Sequence, residues 1–187
     1  MAGIAQPIGS PQTTWHVASI GSTAGPGVIT SSNTPVGKTS FSDFAGSGKL
    51  VQGEGASSNR IKNCTGQDPF GQTPNNTDVA AGSGESFSIA GAATNDAFSV
   101  TIGVRSNDAI HQLLLDVGGS GWKSGQQLHF AVAYGWSPSS TAPSADTSII
   151  YVPCQLSSVT YGSVLADGYT SATINFAPSA RATWINA

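Results

Sequence analysis

The chain has 187 residues, only 9% of them Asp, Glu, Lys or Arg, and a net charge of −3. Soluble domains average about 25% charged residues, so the polar surface here must come from Ser, Thr, Asn, Gln and backbone. The seven basic residues are scattered, which excludes the basic patch that tight nucleic-acid binding needs. No apolar run nears the ~20 residues of a membrane-spanning helix, and no basic amphipathic segment suits a membrane surface.

The length fits one domain with one core. Glycine is abundant, at 23 residues. With Ser, Thr and Asn it disfavours helix and favours strands and turns. The hydrophobic share, 39%, is too high for a disordered chain.

In chain order, the opening MAGIAQPIGSPQ has neither a charged start nor an apolar stretch. It does not read as a signal peptide. Either it is a mature chain behind an added Met, or the protein is made in a cytosol and leaves by lysis or assembly. Residues 1–84 read as an extended arm or long loops packed on the main sheet. Only short apolar pieces interrupt them, at Trp15–Ile20 and Lys49–Val51. Within this stretch Gly37-Lys38-Thr39 imitates the end of a phosphate-binding loop. That motif needs a leading Gly, a buried strand before it and a helix after it. Here Ser32 leads, the preceding GPGVITSSN is a poor strand, and no long helix pattern follows. The match is chance, and so are the two glycosylation sequons at Asn63 and Asn75, which matter only on a secretory route.

Residues 85–187 carry the strand patterns of the main β-sandwich. Phe98, Val100, Ile102 and Val104 alternate with Ser99 and Thr101, a period of two. Leu128, Phe130, Val132, Tyr134 and Trp136 alternate again. Strands follow at TSIIYVPC, ATINF and ATWIN, with Ala172, Ile174, Phe176, Ala182 and Trp184 facing inward. Ile110 to Val117 fits either a strand or a helix capped by Asn107. Strand neighbours on both sides and the Gly-Gly-Ser-Gly turn after it favour strand. The spacing of short strands and turns predicts an all-β fold, an antiparallel β-sandwich of jelly-roll type with an irregular Gly/Ser/Pro-rich N-terminal region.

Few residues point to chemistry. His16, His111 and His129 show no metal-ligand spacing, and His129, out of phase with Phe130, reads as a solvated or cross-strand polar residue. No GxSxG elbow accompanies the many serines. The ten carboxylates stand mostly alone in turns, unlike a glycosidase pair. We therefore expect no enzyme, cofactor or metal. Cys64 and Cys154 are either two buried thiols or a disulfide pair, the latter closing a long loop at about 4–5 kcal/mol. The aromatic residues offer more. Trp122 and Lys123 sit in the turn GSGWKSG, expected to be exposed, and Tyr134 and Trp136 sit at a strand end. Such residues can stack on a sugar or seat a partner protein.

The composition favours a self-assembling structural protein, such as a virion coat, decoration or spike component, at a virion or extracellular surface. Its partners would be copies of itself or another coat protein. Low charge lets wide surfaces be buried without desolvating ions. The alternatives are a carbohydrate-binding module using Trp122 and Trp136 on a glycan, and a β-rich pore-forming toxin.

Overall fold

A computed structural model describes residues 13–52, 58–67, 70–73, 76–80, 86–91, 93–135, 147–164 and 170–186. The strands are β1 (Thr14–Gly21), β2 (Val28–Thr30), β3 (Arg60–Ile61), β4 (Cys64–Gln67), β5 (Gln72–Thr73), β6 (Asn76–Ala80), β7 (Ser86–Ala90), β8 (Thr94–Asn95), β9 (Phe98–Gly103), β10 (Gln127–Tyr134), β11 (Ser148–Val164), β12 (Thr170–Pro178) and β13 (Thr183–Asn186). Among the described residues two short α-helices join them, α1 (Phe41–Phe44) and α2 (Ala109–Leu114), with 3-10 turns at Ser31–Asn33 and Val117–Gly119.

Nine strands form one mixed sheet in the order β2-β1-β10-β11-β12-β9-β4, with β13 also on β11 and β3 also on β1. Among the described residues only β1 and β2 pair as parallel strands; the other strand pairs are antiparallel. The pairs β5–β8 and β6–β7 form separate ribbons.

This sheet is curled, and the aromatic rings show how far. β9 and β10 are three places apart in the sheet, about 14 Å if it were flat. Yet the Phe98 and Phe130 ring centroids are 5.0 Å apart. Trp15 on β1 donates its indole N–H to the Gln67 side-chain oxygen on β4 at 2.8 Å, across the whole order from β1 to β4. The short stretch 60–67 closes the curl, because β3 pairs with β1 and β4 pairs with β9. The all-β class is therefore observed, while the two facing sheets of a jelly roll are replaced by one sheet wrapped around a core.

That core takes one face of each main strand: Phe98, Val100 and Ile102 of β9, Leu128, Phe130 and Val132 of β10, Val152, Cys154 and Leu156 of β11, and Ala172, Ile174 and Phe176 of β12. The sets on β9, β10 and β12 are those that the sequence predicts; that of β11 is not read from the sequence. A second core lies on the other face of β1, β10 and β11. There Ala18, Ala131, Ala133, Ile149 and Tyr151 are covered by Phe44, Ala45, Leu50 and Val51. Residues expected to be arm or loops therefore supply β1 to β4 and the cover of the second core. β1 was legible only as a short apolar piece because both its faces are buried, which blurs the alternation.

Three further readings change. Ala109–Leu114 is a helix, because the Asp108 carboxylate accepts from the Ile110 and His111 N–H groups, a strong N-cap. Ile110 and Leu114 then fall four apart on the buried face, as a helix allows. β13 has the opposite phase to that expected: Ile185 is buried and Trp184 is 61% exposed. β11 is longer than the TSIIYVPC pattern, with 17 residues, because it changes partners along its length. Its start pairs with β13 through Tyr151, and from Cys154 onward it pairs with β12. Pro153 sits at the change. Its carbonyl accepts from Ser179 N–H at 2.9 Å, so its missing N–H faces the gap between β13 and β12 and costs no ladder bond.

Candidate functional site

The GSGWKSG turn returns the chain from α2 to β10. Asp116 adopts left-handed backbone (φ 53°, ψ 40°), and its carboxylate accepts from Gly121 N–H at 2.8 Å. A Cβ on Gly121 would stand 2.5 Å from the Leu113 carbonyl oxygen, so only glycine fits this close return. Trp122 then donates its backbone N–H to that carbonyl at 2.7 Å and enters the main core, 5% exposed. The expectation of an exposed Trp122 is thereby corrected. Its ring packs under Gly27, whose Cβ would lie 2.8 Å from the Trp122 Cζ2 atom, and no face is left for stacking a sugar. Lys123 does face solvent, where it pairs with Asp116. This bond holds the Asp116 carboxyl below its ordinary range.

Trp136 lies outside the described residues. Tyr134 is half-buried at the end of β10 and stacks on Trp184, with centroids 6.0 Å apart and planes 7° from parallel. Together they wall an open cleft of about 330 Å³, completed by Gln67, Phe70, Ile150 and Ala182. No lining side chain is charged. The Trp184 indole N–H donates to Asn186 Oδ1 at 2.7 Å, which holds the ring outward. Sequence reasoning found Tyr134 but assigned Trp184 to the core. The cleft sits where β1, β10, β11 and β13 have their Thr14, Tyr134, Ser148 and Asn186 ends.

The remaining candidates are structural. Both cysteines are free thiols, so the disulfide alternative is corrected. Burial raises the Cys64 thiol to about 11 and raises Cys154 further. All three histidines are buried. His129 does point away from Phe130 and does make a cross-strand contact, its Nδ1 lying 2.8 Å from the Tyr151 hydroxyl. It is not solvated, because the Phe44–Val51 cover lies over that face. His111 Nδ1 accepts from Arg105 N–H and its Nε2 meets the Lys62 carbonyl, both at 2.9 Å. This ring ties α2 to the β3–β4 closure. Among the described residues no three His, Cys, Asp or Glu side chains converge to hold a metal ion.

No protein-family model matches the chain, and no curated protein matches it in sequence. Solved structures do share its fold. A chain from the PVC sheath–tube complex of an extracellular contractile injection system, in the extended state, superposes with a TM-score of 0.56 at 9% identity, over 98% of this chain and 95% of that one. A chain from the anti-feeding prophage cap, a tube-terminating cap, superposes with a TM-score of 0.52 at 11% identity, over 100% of this chain and 96% of that one. At these identities the likeness shows the fold, in both cases over nearly the whole of each chain.

Proposed function

We propose that this protein is a non-catalytic structural subunit of a phage-like tail or injection particle, built from copies of itself or of related subunits into a tube or cap. The observation that carries the reading is the end-to-end fold likeness to two chains of such assemblies, one in a sheath–tube complex and one in a terminating cap. The chemistry of the surface supports it. A chain with 9% charged residues can bury broad surfaces without desolvating many ions. Its exposed large apolar residues include Val36, Val117, Tyr161 and Trp184, which a subunit can cover in contacts. The particle would be virion-like or extracellular.

Light scattering behind a sizing column, with negative-stain images of the main peak, tests this. Rings, tubes or caps of many copies are expected. Contacts that are mostly uncharged should persist from low to high salt, since screening acts on charges. An 18.9 kDa monomer at every concentration and salt tried would overturn the reading.

A further inference from the structure

His111 stands between two backbone groups of opposite kind. The Arg105 N–H donates to its Nδ1 at 2.9 Å, so that nitrogen must present a lone pair. Its Nε2 therefore carries the proton, which it donates to the Lys62 carbonyl at 2.9 Å. Both bonds hold together only while the ring is neutral. The ring is fully buried. It faces Lys62 from the β3–β4 segment, Arg105 from the turn after β9, and Asp108 from the start of α2. Arg60 of β3 lines a polar cleft with Lys62 and Asp108. Asp108, the carboxylate of this group, already pairs with Lys62 at 3.3 Å. A proton added at Nδ1 would set N–H against N–H and bury a further cation beside Lys62 and Arg105, and both changes disfavour the closed arrangement. Burial accordingly holds the ring below its ordinary 6.5, against the pull of the Lys62 carbonyl and of Asp108.

The segment that this ring holds is thinly attached elsewhere. β3 pairs with β1 at Trp15–Ile61 and His16–Arg60, and β4 pairs with β9 across an irregular step between Cys64 and Gly66. β10 and β11, by contrast, pair without a break from Gln127 to Tyr134. Local opening is easiest where attachments are fewest. We propose that His111 is an acid-operated latch: its protonation frees α2 from Lys62 and opens the 60–67 segment while the β10–β11 core stays folded. The sign follows from linkage. The opened ring takes up a proton near pH 6.5 and the latched ring only at a lower pH. The latch is therefore complete above pH 6.5 and loosens as the pH falls below it. Because this segment closes the curl of the sheet, mild acid loosens the closure without unfolding the core. The inference goes beyond the assembly reading and does not depend on it.

Hydrogen exchange of the full chain tests it, read by mass spectrometry on peptides and corrected for the intrinsic exchange rate at each pH. Between pH 7 and pH 5.5, protection of peptides covering 60–67 and 105–115 should fall several-fold, with about tenfold per pH unit as the ceiling for one proton. Protection of 127–134 and 148–156 should not change. In His111→Gln, which does not titrate, the pH dependence should vanish from 60–67 even where basal protection is lower. Equal losses in the segment and the core would overturn the latch, and so would a segment whose protection is the same at both pH values. A pH dependence that survives in His111→Gln would overturn it too, by assigning the opening to another group such as His16. If His111→Gln folds poorly, the ring nitrogen shifts of the wild-type protein decide. A neutral ring protonated at Nε2 at pH 7, titrating below 6.5 together with the exchange step, is the expected result. A ring protonated at Nδ1 at pH 7, or one that titrates apart from the exchange step, would overturn the latch.

Discussion

Asn59 joins three parts of the chain that are far apart in sequence. Its Oδ1 accepts from Gly27 N–H at 3.0 Å, and its Nδ2 donates to the Lys49 and Leu50 carbonyls at 2.9 and 3.3 Å. Its own carbonyl accepts from Val17 N–H. The side chain is fully buried, so removing it leaves buried backbone groups without partners. Asn59→Ala is therefore expected to lower stability by about 3 kcal/mol, measured by urea unfolding. Nothing in the residues around Asn59 announces this role. The histidines carry a second prediction at the same scale. Burial, aided by the Arg60 charge, lowers His16 to about 3, and burial lowers His129 to about 4, from an ordinary 6.5. Both rings therefore stay neutral in the folded protein while the unfolded chain takes up protons below pH 6.5. Stability is complete above that pH and falls as the pH drops toward 4 and then 3, by about 1.4 kcal/mol for each unit of depression. A His129→Gln variant should show a shallower acid loss in unfolding midpoints taken between pH 7 and pH 4. An unchanged slope would show that this ring is not a source of the acid sensitivity.

At the scale of elements, α2 shows how a short segment is decided by its first residue. Ile110 to Val117 has apolar positions that suit either a strand or a helix, and flanking strands made the strand reading reasonable. The Asp108 carboxylate selects helix by satisfying two N–H groups that would otherwise lack partners. It also pairs with Lys62 at 3.3 Å, so the cap fastens the helix to the β3–β4 closure. Asp108→Ala should cost about 1–2 kcal/mol, while Asp108→Asn, which keeps the acceptor, should cost less; thermal unfolding of the two compares them. β13 teaches a different lesson. Four residues allow two phases of alternation, and with Trp184 and Ile185 adjacent, either could face inward. Burial of Ile185 against the second core chose the phase and released Trp184 to the surface.

For the molecule as a whole, the curled sheet wraps one core and carries a second on its other face. Contacts are then left to the ends and to the outer faces, where the side chains are mostly uncharged. This is why the particle mass in solution is the measurement that bears most directly on the proposed function.

The strands β9 and β12 were legible in the sequence because apolar core residues alternate with polar ones, and β10 because large core residues alternate with small or polar ones. The low charge and the abundance of glycine were legible as properties of composition. Tertiary structure alone decided the rest. It drew the N-terminal stretch into the sheet as β1 to β4, because β1 gains cover on both faces from the two cores. It buried Trp122 beneath Gly27, since the tight Asp116–Gly121 return aims that ring inward. It also built the cleft, whose walls come from β4, the residue at 70, β10, β11 and the start of β13. No local pattern records that those pieces meet, because their meeting depends on how far the whole sheet curls.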